Sequence, residues 1–138
     1  MIALRDNSPA VVSPGIYPML YAFFDDRGVL RQDPFRRQVD AALGTQAAGV
    51  AILGLGTEVS KLTFDERIEV LEVVAERIEG RKPLLATVCG DTITEQIEFS
   101  KRAIQSGASA LMLQPPSQKM DDAKLVGFFS EIISAVDC

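Results

Sequence analysis

Residues 49–67 read GVAILGLGTEVSKLTFDER. Gly49–Leu53 is a short continuous apolar run, the pattern of a strand buried on both faces. Gly54, Gly56, Thr57 and Glu58 follow as a loop. Thr63 and Glu66 then form the capping-box pattern that opens a helix, because each side chain can bond the other's backbone N–H. Strand, loop and helix in that order make one βα unit. The loop lies at the strand's C-terminal end.

The same unit recurs on either side. Ile16–Phe24 is apolar and aromatic, the pattern of a first strand, and Asp25-Asp26-Arg27-Gly28 reads as a turn. Asp33 is placed to cap a helix with Pro34 at its first position, where a missing N–H costs nothing. Phe35, Val39, Ala42 and Leu43 form that helix's apolar stripe. Ile68, Leu71, Ala75 and Ile78 stripe the second helix, which Gly80 stops. Pro83–Val88 is the third strand, and Thr92 with Glu95 gives a second capping-box pattern. Ile93, Ile97, Ala103 and Ile104 stripe the third helix, which ends at Gly107. Ala110–Leu113 is the fourth strand. Leu125, Phe128, Phe129, Ile132, Ile133 and Val136 stripe a fourth helix.

The order is βαβαβαβα over residues 15–138, preceded by an irregular leader, 1–14, with Pro9 and Pro14. Strands apolar on both faces predict a parallel sheet covered by helices. Two architectures satisfy this pattern: an open doubly wound sheet, or half of a (β/α)8 barrel.

Composition narrows the function classes. The 138 residues are 47% hydrophobic and 24% charged, the balance of one globular domain or part of one. A net charge of −5 with no long basic run argues against nucleic acid as a partner. No apolar run approaches the roughly 20 residues that span a bilayer, so no membrane partner and a cytoplasmic location are expected. Histidine is absent, which removes the commonest general base and transition-metal ligand. Cys89 and Cys138 are far apart and form no CxxC pair. No cofactor and no metal are expected.

The loop is not a nucleotide motif. A dinucleotide fingerprint needs GxGxxG, and Val59 stands where its third glycine belongs; no Gly-Lys-Ser/Thr triplet occurs. Ligands nevertheless bind at the C-terminal strand ends in both candidate architectures. Gly54 and Gly56 let backbone N–H groups approach a small anion, Thr57 adds a hydroxyl, and Glu58 is placed to accept backbone bonds. The plainer alternative is a sharp turn with Glu58 capping a helix.

From about Gly15 onward the chain resembles the N-terminal half of the dihydrodipicolinate synthase / N-acetylneuraminate lyase family. The likeness is carried by Gly15-Ile16 with FDDRG (24–28), by residues 49–88, and by TITEQIEFSKRAIQSGASALMLQPP (92–116). Its most specific part is the Gly-x-x-x-Glu loop, 54–58, followed by LTFDER. The resemblance implies a (β/α)8 barrel, of which this chain holds four βα units. It also implies class I aldolase chemistry on pyruvate or another 2-keto acid. In that chemistry a lysine forms a Schiff base that acts as an electron sink, the loop holds the keto acid's carboxylate, and a tyrosine relays protons.

Three departures from the family pattern follow. The family loop reads Gly-Thr-Thr-Gly-Glu, so Leu55 and Gly56 stand at its hydroxyl positions and Thr57 at its second glycine. The fourth strand ends Gln114-Pro115-Pro116-Ser117 instead of Thr-Pro-Tyr-Tyr. The Schiff-base lysine belongs to a sixth strand, outside these four units. Lys61, Lys82, Lys101, Lys119 and Lys124 read as solvated surface groups, so this chain alone is expected to be inactive. Tyr17 and Tyr21 read as packing in the barrel wall, with Tyr21 kept as the candidate catalytic residue. Cys89 reads as a buried or rim thiol. Open strand edges predict a homo-oligomer or association with a complementary half-barrel. The alternative function is a noncatalytic, divergent half-barrel serving as a binding or assembly module.

Overall fold

The computed structural model describes residues 11–136. In chain order the elements are α1 (Gln32–Leu43), β1 (Val50–Ile52), α2 (Phe64–Ile78), β2 (Leu84–Val88), α3 (Ile93–Gln105), β3 (Ala110–Leu113) and α4 (Asp122–Ala135). Most of the expected leader, residues 1–10, lies outside the described residues.

The sheet is parallel with order β1-β2-β3; Val50 pairs with Leu84, and Leu85 with Ala110. Together with the first segment, which runs parallel to β1 where Met19 pairs with Ala51, this order puts four consecutive segments side by side and separates the two architectures. Sequential parallel neighbours joined by right-handed crossovers place every helix on one face, as in a barrel. A doubly wound sheet of order 3-2-1-4 reverses at its fourth strand.

The first expected strand is reduced to a bridge. Met19 pairs in parallel with Ala51, while Phe24 pairs antiparallel with Leu30 across the Asp25–Gly28 turn. Pro18 explains the shortening, since it accepts from Ala51 N through its carbonyl but has no N–H to give. The segment still lines the edge of β1, through Ala48 N–Ile16 O and Leu20 N–Ala51 O bonds.

Two helix starts differ from expectation. α1 begins at Gln32, after Arg31, with no side-chain cap. Asp33 and Pro34 sit inside its first turn, where the N–H groups have no intrahelical acceptor and a proline is tolerated. At α3, Thr92 accepts from Glu95 N, but the reciprocal bond is missing because Glu95 turns to Arg67. The box at Thr63 and Glu66 is complete in both directions.

The core lies between the sheet and its helices. Phe35 and Val39 of α1, Val70, Leu71 and Val74 of α2, and Phe99 of α3 are fully buried. Each such side chain contributes about 1.5–3 kcal/mol relative to exposure. A second cluster joins Phe128, Ile132 and Val136 to Ile93, Ile97 and Ile104 of α3. Ile133, expected on the apolar stripe of α4, is instead 62% exposed.

Candidate functional site

The loop leaving β1 is built by two tight 3-10 turns, Leu55–Thr57 and Val59–Lys61. Two non-glycine residues in the left-handed region flank the first turn: Leu53 with φ 62° and Glu58 with φ 54°. Such conformations cost of order 1 kcal/mol each and persist only where the surroundings enforce them. Thr57 does the enforcing. Its hydroxyl, fully buried, accepts from Leu53 N at 3.0 Å and donates to Leu20 O at 2.6 Å. One side chain thus closes the loop and ties it to the first segment.

Gly54 and Gly56 both lie against Met19, whose side chain fills the space that a Cβ at either glycine would need. The Gly54 N–H donates to Met19 Sδ at 3.3 Å. The N–H groups of Leu55 and Gly56 have no hydrogen-bond partner among the described residues.

Tyr21, Gly56, Thr57 and Glu58 line one cavity of about 420 Å³, together with Ala22, Phe24, Leu55, Lys61 and Leu62. Gly54, packed against Met19, is not among the residues that line it. Tyr21 does not pack in a wall as its sequence position suggested; it is 58% exposed. Gln38 of α1 fixes its backbone, accepting from Tyr21 N at 2.9 Å and donating to Tyr21 O at 3.0 Å. Tyr17 is anchored differently, with its phenol donating to Ser13 O at 2.7 Å. The Glu58 carboxylate does not bond the loop's backbone. It pairs with Lys61 Nζ at 2.6 Å, both side chains being largely exposed.

The other loops at this end of the sheet are tied together by side chains absent from the sequence-derived site. Arg67 of α2 donates to Leu62 O at 3.1 Å, to Cys89 O at 2.6 Å and to Glu95 Oε1 at 2.9 Å. It therefore links the loop after β1 to the loop after β2. Buried Gln96 links the loop after β2 to the end of β3, donating to Gly90 O at 2.8 Å and Gln114 O at 2.9 Å. Asp91 accepts from Ser117 N at 2.8 Å, and this N–H, with the Ser117 hydroxyl after it, holds its carboxyl below the ordinary range. Arg67 was within sight in the LTFDER motif, but nothing in its spacing announced a backbone clamp.

Lys61 alone among the lysines reaches the cavity rim. Lys82 donates its ammonium protons to Ala42 O, Thr45 O and Ala47 O at 2.8–3.0 Å, before β2 and away from the loop. Lys101, Lys119 and Lys124 are exposed. Burial pushes the half-buried Cys89 thiol above its ordinary pKa, which disfavours the thiolate. Among the described residues, no three His, Cys, Asp or Glu side chains cluster to hold a metal. No described helix is long and apolar enough to cross a membrane.

The model of the dihydrodipicolinate synthetase family matches residues 13–138. The 4-hydroxy-tetrahydrodipicolinate synthase of Pelobacter propionicus is 32% identical over 111 residues, covering 80% of this chain and 38% of that protein. The crystal structure of YagE from Escherichia coli K12, a prophage protein of the dihydrodipicolinic acid synthase family in complex with pyruvate, superposes with a TM-score of 0.82 at 28% identity. That match covers 88% of this chain and 41% of YagE. N-acetylneuraminate lyase from Mycoplasma synoviae superposes with a TM-score of 0.83 at 25% identity, covering 96% of this chain and 45% of the lyase. The chain spans about two fifths of the length of the curated relatives it matches. It belongs to the dihydrodipicolinate synthetase family, and its fold is the N-terminal half of that family's (β/α)8 barrel.

Proposed function

We propose that this family member supplies the carboxylate-binding part of a 2-keto-acid lyase or aldolase, with pyruvate as the model substrate. The observation that carries the reading is the cavity at the C-terminal end of β1, where Tyr21 and residues 55–58 meet. The pyruvate bound in the YagE structure supports the substrate class. In this reading the free N–H groups of Leu55 and Gly56 point to the ligand's carboxylate, and Lys61 on the rim adds positive charge. Tyr21 is the candidate for moving a proton.

The Schiff-base step requires a lysine amine beside the keto carbon, desolvated enough to lose its proton. Lys61 is 71% exposed and ion-paired, and Lys82 is held by three carbonyls elsewhere. The 138 residues alone are therefore proposed to be inactive as an aldolase, with the reactive lysine supplied from outside them. Borohydride reduction of the purified chain with pyruvate tests this. No covalent adduct is expected; a single stable adduct, lost when one lysine is replaced, would overturn the proposal.

A second reading, a noncatalytic binding or assembly module, is favoured by two features. Leu55, 89% exposed, stands where relatives of the motif carry a hydroxyl, and the Thr57 hydroxyl is engaged by backbone on both sides. Association fits either reading. β3 pairs only with β2 among the described residues, and its open edge is a template for another copy or a complementary half-barrel. Light scattering is expected to show dimers or larger species; a monomer at high concentration would count against association.

A further inference from the structure

The loop has lost the hydroxyls that its family motif places at Leu55 and Gly56, yet a buried hydroxyl stands next to it on the neighbouring strand. Thr87 of β2 is 2% exposed. Its Oγ1 has no hydrogen-bond partner among the described residues. It lies 3.6 Å from the point where a Cβ on Gly54 would sit. A buried hydroxyl with no partner is destabilising, since its lost hydration is not replaced. Valine would fill the same volume without that cost.

Beside Thr87, the Gly54 N–H is satisfied only by Met19 Sδ, at 3.3 Å. A thioether sulfur is a weak acceptor, and methionine is an unbranched, readily rearranged side chain. Two donors, one unpaired and one weakly paired, thus flank a space now filled by a side chain that can leave it.

We infer that Thr87 Oγ1 and the Gly54 N–H form a carboxylate-binding donor pair, opened when Met19 swings away, so that the hydroxyl missing from the loop is supplied by β2. A carboxylate there replaces the thioether contact with two charge-assisted hydrogen bonds. Bond formation is paired only with the rotamer change of Met19, so no covalent step is involved. The inference rests on the keto-acid reading above and adds to it a binding residue outside the Gly-x-x-x-Glu loop.

The test measures pyruvate affinity by titration of the 138-residue chain and thermal stability of the same samples. Wild type is expected to bind pyruvate. Thr87→Val is expected to melt higher, because an unmet buried hydroxyl is removed, while binding pyruvate about tenfold or more weakly. Thr87→Ser is expected to hold wild-type affinity within about threefold, since a hydroxyl to a charged acceptor is kept. Thr87→Ala provides a second hydroxyl-free variant should valine disturb the strand, and it is expected to lose affinity likewise. A purely structural role would not raise stability and lower affinity together. Unchanged affinity in both hydroxyl-free variants overturns the inference and leaves the keto-acid reading standing. Absence of pyruvate binding in wild type overturns both.

Discussion

β1 and β3 are both short apolar strands of one parallel sheet, and their surroundings differ sharply. Every residue of β1 is buried, whereas β3 has none that is fully buried and exposes Met112 by 38%. β1 has β2 along one edge and the Ile16–Leu20 segment along the other, with core helices above it. Among the described residues, β3 has β2 along one edge only. Similar apolar strings therefore have different energetic weight. Burial is set by neighbours on both edges and both faces, and hydrophobicity along one strand does not reveal whether those neighbours exist.

The largest expected effect is a truncation within the strands themselves. Ile52→Ala should cost about 2–5 kcal/mol, because it leaves a cavity in a fully packed site. Met112→Ala should cost less than about 1 kcal/mol, since its partly exposed side chain packs little. Denaturant unfolding of the two variants measures the contrast; equal losses would mean that β3 is as well packed in solution as β1.

A smaller effect tests the ties between loops. Arg67→Ala should cost about 2 kcal/mol, because Cys89 O and the partly buried Glu95 carboxylate lose their donor. Arg67→Lys should not restore it, as one ammonium cannot reproduce the guanidinium fork. The two helix caps come next. Thr63→Ala, which opens a reciprocal box, should cost about 1 kcal/mol, and Thr92→Ala, whose box is one-sided, about half of that. Thermal melts of the pair decide whether the missing Glu95 bond matters.

The smallest effect is a pH response at the β3 side. The carboxyl of Asp91 has its pKa lowered in the fold, first by the backbone N–H of Ser117. A depressed carboxyl stabilises the fold above its unfolded pKa, and that contribution fades as pH falls through the folded value. The Ser117 amide resonance should therefore move as pH drops below about 4, while that of Leu53, whose N–H donates to the Thr57 hydroxyl, stays. A pH-independent Ser117 amide would show that the tie is not made.

Much of this fold was legible in residues 49–67 because local chemistry dictated it. The capping box at Thr63 and Glu66 needs only two side chains three apart, and it is present in full. The second box failed where a distant partner intervened: Arg67, 28 residues away, draws Glu95 from its cap. The first strand failed for a backbone reason, since Pro18 removes a donor from an otherwise strand-like run. At the site, the loop's glycines were legible as a close-approach feature, but what approaches them is Met19. The engagement of Thr57 with Leu53 and Leu20, and the place of Thr87 beside Gly54, depend on how separate segments meet, which spacing along one segment does not encode.

Amide NMR of the labelled chain titrated with pyruvate tests the central claim, that the keto-acid site lies at the end of β1, most directly. The account predicts saturable shifts at Gly54, Leu55, Gly56, Thr57 and Glu58, with smaller ones at Tyr21, and none along α4. No saturable shift at the loop, or shifts gathered instead along β3 and α4, would contradict it.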